Sequence, residues 1–439
     1  MKRKLKNKLL NTLFFIDTNQ PNFIEIQKAY YECYKNVAII KILLGKNARK
    51  PAVNLAENTI KKAIRFEFVD ITIALARVLR VHYGSIMGNK KKFNHYHKLT
   101  QEYAEIANAE IKVEGYYSAL GVNIVNSRAT KKELAEIATA FADDLEQIIK
   151  KYSSYRINLH AYLVLTLQYE IVNDFQNALG ICQNALSFFN KKKHIASKTV
   201  LLIFNRKLLS CYLRPKKYED ASKSLKECLQ YVNTGDLNWF RTLDIQMILC
   251  FHTSNFAKAF EVYLLARNHP KFDQLHADLK EHWLIHEAFV FYFISIGKLQ
   301  PKNIEEAPKF RRQRFFNMVP VLSKDKQGTN TSILILQFLF LLQERKYGKI
   351  IELMEPLKTY NHRYLRKDET FRINCFIKML LQIPAASFHK QAVVRKSKQY
   401  WDKLRSVPIE VANQSAEIEI VPYEMLWDFV LELLDDKFH

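Results

Sequence analysis

The sequence predicts an all-α protein, an α-solenoid of antiparallel helix pairs closed by a C-terminal capping helix. Three observations carry this. The 439 residues include only 10 Gly and 11 Pro, where average usage would give about 31 and about 22. Glycine supplies the positive-φ positions of hairpin turns and phosphate loops, so a chain this poor in it is neither all-β nor built on a Gly-rich nucleotide loop. Apolar residues also recur three to four apart, the spacing of a helix face. Finally, one pattern of aromatic, small and turn residues returns several times along the chain. At 48% hydrophobic and 25% charged residues, the chain is neither disordered nor membrane-embedded.

The elements follow in order. Lys2, Arg3, Lys4, Lys6 and Lys8 precede an apolar stretch at 9–16 and imitate a signal peptide. The stretch is short, Asn11 and Thr12 interrupt it, and no small-x-small cleavage site follows. It is read as a first amphipathic helix, with a secretory signal as the alternative. Ala56, Ile60 and Ala63 mark one face of a later helix. Residues 70–87 and 93–109 form a pair around Gly88-Asn89-Lys90. Residues 110–126 and 131–151 form another, with Thr130 and Glu133 as a capping box.

The clearest unit comes next. Tyr162, Leu165 and Tyr169 share a face of one helix. Asn173-Asp174-Phe175 make a turn, and Ala178, Cys182 and Ala185 share a face of a second helix. Small residues at the crossing let two antiparallel helices approach, and aromatics fill the gap between pairs. The pattern repeats at Leu208, Leu209 and Tyr212, turn Lys217-Tyr218, then Ala221, Leu225 and Cys228. It repeats again at Leu243, Met247 and Cys250, turn Asn255-Phe256, then Ala259, Tyr263 and Ala266. A looser copy has Leu334, Phe338 and Leu341, turn Lys346-Tyr347, then Ile350, Met354 and Leu357. An aromatic follows every turn: Phe175, Tyr218, Phe256 and Tyr347.

These residues resemble the tetratricopeptide-repeat (TPR) family, in divergent form, over 160–270 and more loosely over 330–360. The resemblance implies a right-handed superhelix whose concave face, lined by the first helix of each pair, binds peptides or proteins. The matching positions include His160 in one unit, Arg206 and Arg214 in the next, and Arg241, Asp244 and His252 in the third. The three arginines would face one channel and suit an acidic peptide or a terminal carboxylate. Ordinary inter-helix ion pairs are the alternative.

The expected organisation is therefore a repeat array over 1–300, an irregular Pro-containing interruption over 301–330, further helix pairs with a basic patch over 331–405, and an acidic tail with a capping helix over 406–439. The interruption holds Pro301, Pro308, Pro320 and Gly328. The tail has an extended stretch up to Pro422 and a helix over 423–434.

Charge follows these divisions unevenly. The total is +23, with 22 basic and 9 acidic residues in 301–405 but one Lys and 8 acids in 406–439. Arg311, Arg312, Arg314, Lys324, Lys326, His362, Arg363, Arg366, Lys367 and Arg372 form a candidate anion patch, because arginine among aromatics suits phosphate, carboxylate or base contact. A solvated basic surface is the alternative. The acidic tail is expected to fold onto this basic region, either as a permanent cap or as a competitor for its ligand.

The search for chemistry yields little. No phosphate-loop, dinucleotide or nucleophile-elbow motif is present. His282 and His286 have metal-compatible i, i+4 spacing, but Glu287 is misplaced for H-E-x-x-H, and no metal or cofactor is expected. The six cysteines form no C-x-x-C and fall in apolar patterns, which reads as buried thiols in a cytoplasmic protein. The expected function is a non-enzymatic scaffold for a protein or acidic peptide, with RNA or anion binding at 311–372 as the alternative.

Overall fold

The computed structural model describes residues 23–436 apart from 126–130, 173, 303, 308, 314, 317–328, 366–369 and 408–418. Among the described residues the chain is all-α and strand-free, with 17 α-helices. The amphipathic helix expected at the N-terminus and the Thr130 cap lie outside them.

The chain falls into two compact units, residues up to Ile171 with Asn184–Val200, and Val172–Gln183 with residues from Leu201 onward. The first contains α1 (Glu25–Gly45), α2 (Arg49–Arg65), α3 (Val69–Val81), α4 (Lys90–Val125), α5 (Lys131–Lys151) and α6 (Tyr155–Ile171). Helix α7 (Phe175–Lys191) belongs partly to each. The second unit continues with α8 (Lys198–Leu213), α9 (Tyr218–Gln230), α10 (Leu237–His252), α11 (Phe256–Arg267) and α12 (Ala277–Ser295). It ends with α13 (Thr329–Gln343), α14 (Tyr347–Tyr364), α15 (Phe371–Ala385), α16 (Lys390–Ser406) and α17 (Tyr423–Leu433).

In the first unit α1, α2 and α3 pack in succession, and α4 packs on α3, α5 and α6. Ala52, Ala56 and Ala63 on α2 are fully buried, as small residues at a close helix crossing must be. One expectation is corrected here. The spacing predicts separate helices over 93–109 and 110–126, but Lys90–Val125 is the single helix α4 of 36 residues. No proline interrupts that stretch, and Gly115 and Gly121 face open space. Nothing therefore stops the hydrogen-bond ladder, and the rod extends for about 54 Å.

In the second unit consecutive helices stack as antiparallel pairs: α9 on α10, α10 on α11, α11 on α12, then α12 through α16 in order, with α17 against α13. The stacking is that of a helical-repeat solenoid. One continuous apolar core runs from Trp239 to Leu434.

The turns explain how the fold manages with so few glycines. Asn47, Glu67, Lys216, Ser254 and Arg345 each take a left-handed conformation with φ between 55° and 57°. In each case the next residue's N–H donates to the carbonyl five positions back, at 2.8–3.0 Å. This is a Schellman cap, whose left-handed position is usually glycine. Here ordinary side chains occupy it, at a cost of about 1–2 kcal/mol per residue.

The aromatics that mark the repeats have a definite task. Phe175, Tyr218, Phe256 and Tyr347 are the first residues of α7, α9, α11 and α14. Each packs near the C-terminal end of the first helix of the following pair. Arg214 lies 3.8 Å from the Phe175 ring centre, and His252 lies 6.3 Å from Tyr218. Phe293 lies 4.3 Å from Phe256, and Phe388 lies 4.1 Å from Tyr347. Each turn aromatic thus touches a side chain at the end of a helix in the following pair.

Candidate functional site

That aromatic contact decides the fate of two residues expected in a groove. Arg214 and His252 are the residues met by Phe175 and Tyr218, and both are buried. Their side chains join one repeat to the next. Arg206 is half-buried on α8, where its charge opposes the burial that pushes the Cys228 thiol up to about 12. Arg241 is exposed on α10. His160 belongs to the first unit, stacks on Tyr117 at 5.2 Å, and is lowered from its ordinary value by burial.

Asp244 sits one turn along α10 from Arg241 and points into a histidine pair on α12. Its Oδ1 meets His286 Nε2 at 2.7 Å and its Oδ2 meets His282 Nδ1 at 3.5 Å. Burial works against the carboxylate, but hydrogen bonds and charge from the two histidines outweigh it and hold Asp244 well below the usual carboxylate range. The i, i+4 histidines noted in the sequence therefore serve a carboxylate. Among the described residues no cluster of three or more metal-ligating side chains is placed to hold an ion.

The most elaborate polar site surrounds Arg372, near the start of α15. Its side chain is fully buried, as is that of Glu419. Nε and Nη2 donate to the two Glu419 carboxylate oxygens at 3.0 and 2.8 Å. Nη2 also donates to Glu424 at 2.7 Å, and Nη1 to the Leu404 and Val407 carbonyls at 3.1 and 2.8 Å. Every guanidinium proton is used. Burial opposes the Arg372 charge, but the two carboxylates outweigh it and raise the group above its ordinary value. Burial raises the Glu419 carboxyl, with Arg372 pulling it back. The Tyr423 N–H donates to Glu419 Oε1 at 2.9 Å, and His252 Nε2 donates to the Glu419 carbonyl at 3.0 Å.

From that anchor residues 419–436 run across successive repeats. Tyr423 stacks on Phe376 at 4.7 Å, and Phe429 packs at 6.2 Å from Phe256 and 6.0 Å from Phe293. Lys298 pairs with Glu432 at 2.6 Å, and Arg345 with Asp435 at 3.8 Å. The described part of the acidic tail packs against basic residues, with the Arg372–Glu419 pair fully buried.

Five residues of the candidate anion patch are described. Arg372 is sealed inside and is not available to a ligand. Arg312 pairs with Glu344 and lies over the Phe340 ring at 4.4 Å, at the edge of a cleft of about 690 Å3. Arg311, His362 and Arg363 are exposed. Arg314, Lys324, Lys326, Arg366 and Lys367 lie outside the described residues.

Sequence reasoning missed the outer face of α16, where Arg395, Lys396, Lys398, Lys403 and Arg405 are exposed. Residues 390–406 carry six cations and one acid, Asp402, and that ratio was the available signal.

All six cysteines are buried and none is in a disulfide. Among the described residues no helix is long and apolar enough to cross a membrane.

Together these features define an all-helical protein of stacked antiparallel pairs, an architecture compatible with a scaffold. No family model, curated protein or solved structure matches the chain.

Proposed function

We propose that the protein is a non-enzymatic, TPR-like scaffold that binds a protein partner through an acidic peptide segment. One observation carries the reading. The second unit already holds an acidic segment of its own chain, laid across several repeats, with carboxylates met by Arg372, Lys298 and Arg345. Bidentate arginine contact and apolar side chains set between repeats are the chemistry of peptide recognition. Arg372 is occupied; the proposal assigns the partner's carboxylates to the exposed Arg241 together with Arg206 on α8. Localisation in the cytoplasm belongs to the same proposal.

An array of acidic peptides, screened against the full chain, tests this. A binding peptide should lose at least about tenfold in affinity, about 1.4 kcal/mol, when Arg206→Glu and Arg241→Glu are combined in a chain whose helical circular dichroism is intact. Absence of any acidic binder, or binding indifferent to the double reversal, would reject it.

A further inference from the structure

We infer that the outer face of α16 is a second binding surface, which takes the phosphate backbone of a nucleic acid without reading its sequence. The argument starts from how the protein treats its other cations. Several lysines elsewhere are met by neighbouring carboxylates: Lys62 by Glu32, Lys92 by Glu57, Lys112 by Asp144, Lys223 by Asp220, Lys258 by Glu261. On α16 six cations stand against one acid, Asp402. Arg395, Lys396, Lys398, Lys403 and Arg405 are exposed, and among the described residues none of them forms an ion pair. Lys396 Nζ donates to the Ala385 carbonyl, and Arg405 lies 5.8 Å from the Trp401 ring centre.

The opposite face of the helix is committed. Val393, Ser397 and Leu404 are buried where α16 packs on α15. The cationic side is therefore held rigidly outward. Arg395, Lys398 and Arg405 lie along it over ten residues, about 15 Å of helix axis. A duplex carries one charge per about 1.7 Å of its axis, so a row of this length meets several phosphates at once.

The same packing decides between polyanions. A helix lying in a membrane surface needs a free apolar face to insert, and that face of α16 is covered by α15. Base stacking needs an open aromatic platform, whereas Tyr400 and Trp401 are half-buried. What remains is charge complementarity to a phosphate backbone. The surface is distinct from the Arg241 region, so the two proposals fail independently.

The test uses the full chain and fluorescence anisotropy with a short labelled DNA duplex and a single-stranded RNA of equal length. Wild-type protein should bind both with a dissociation constant of about 10⁻⁴ to 10⁻⁶ M near physiological salt, weakening steeply between about 50 and 200 mM. Arg395→Glu, Lys398→Glu and Arg405→Glu together should cost at least tenfold, and the salt slope for the duplex should fall by about 3. The neutral set Arg395→Gln, Lys398→Gln and Arg405→Gln should act in the same direction and guards against misfolding of the reversed chain. Lys223→Glu, Lys226→Glu and Lys258→Glu change the net charge equally at other exposed sites and should leave binding largely intact. Absence of binding at low salt would overturn the inference. So would an equal loss in this last variant, or poly-glutamate binding as tightly as the duplex.

Discussion

Arg372 and the outer face of α16 belong to one basic block of sequence, yet the fold uses their charges in opposite ways. Arg372 is sealed from water, and all its donors are bound by the tail and the end of α16. The α16 cations are exposed, and among the described residues no carboxylate pairs with them. Charge density along the chain could not separate the two fates. Helix phase separates them, because a cation placed among core residues must bring its own counter-ions, whereas one on the outer face need not. The site with the larger energetic consequence is therefore the one with no exposed charge to offer.

Breaking the buried site gives the largest effect. Arg372→Met leaves Glu419 buried without its counter-ion and should cost about 3–5 kcal/mol. Urea unfolding followed through Trp427, which is buried on α17, reads this directly. Arg372→Met with Glu419→Leu removes both charges and should recover at least half of the loss. A loss under about 1 kcal/mol for Arg372→Met would mean that the tail is held by its apolar contacts alone.

Asp244 offers a smaller, pH-resolved version of the same contrast. Its folded value is depressed. Its contribution is therefore fully present above the unfolded carboxylate value of about 3.9 and is lost as pH falls below it. Asp244→Asn should cost about 1–3 kcal/mol at neutral pH, and the difference from wild type should shrink as the solution is acidified below about pH 4. A difference that stays constant down to pH 3 would assign the cost to shape rather than to charge.

Much of the fold was legible because it depends on local spacing. The turns at Lys217-Tyr218, Asn255-Phe256 and Lys346-Tyr347 fall where the helices change, and the last helix begins at Tyr423 as expected. The division of α4 into two was an error of pattern, since a repeat template proposes a break that no residue enforces. The site was less legible. Arg214 and His252 look like groove residues from their place near the ends of the first helices, but both are buried against the aromatics Phe175 and Tyr218 that open α7 and α9. Such burial depends on the neighbouring helix pair and is not visible in local spacing. The Arg372–Glu419 pair joins residues 47 positions apart, beyond any local pattern. The α16 face is legible in the six cations and one acid of 390–406, a ratio that averaging over the whole basic block of 301–405 conceals.

The smallest expected effect gives the finest contrast with Arg372. Arg395 and Lys398 are three residues apart on the exposed side of α16, where like charges repel by a few tenths of a kcal/mol. Arg395→Gln with Lys398→Gln keeps helix propensity nearly unchanged. Stability should therefore shift by no more than about 0.5 kcal/mol, and towards greater stability at low salt. Raising the salt to about 1 M contracts the screening length to about 3 Å, so the difference should vanish there. A destabilisation above about 1 kcal/mol would show that these cations hold the fold together, as Arg372 does, and would remove the reason to regard α16 as a surface kept for something outside the chain.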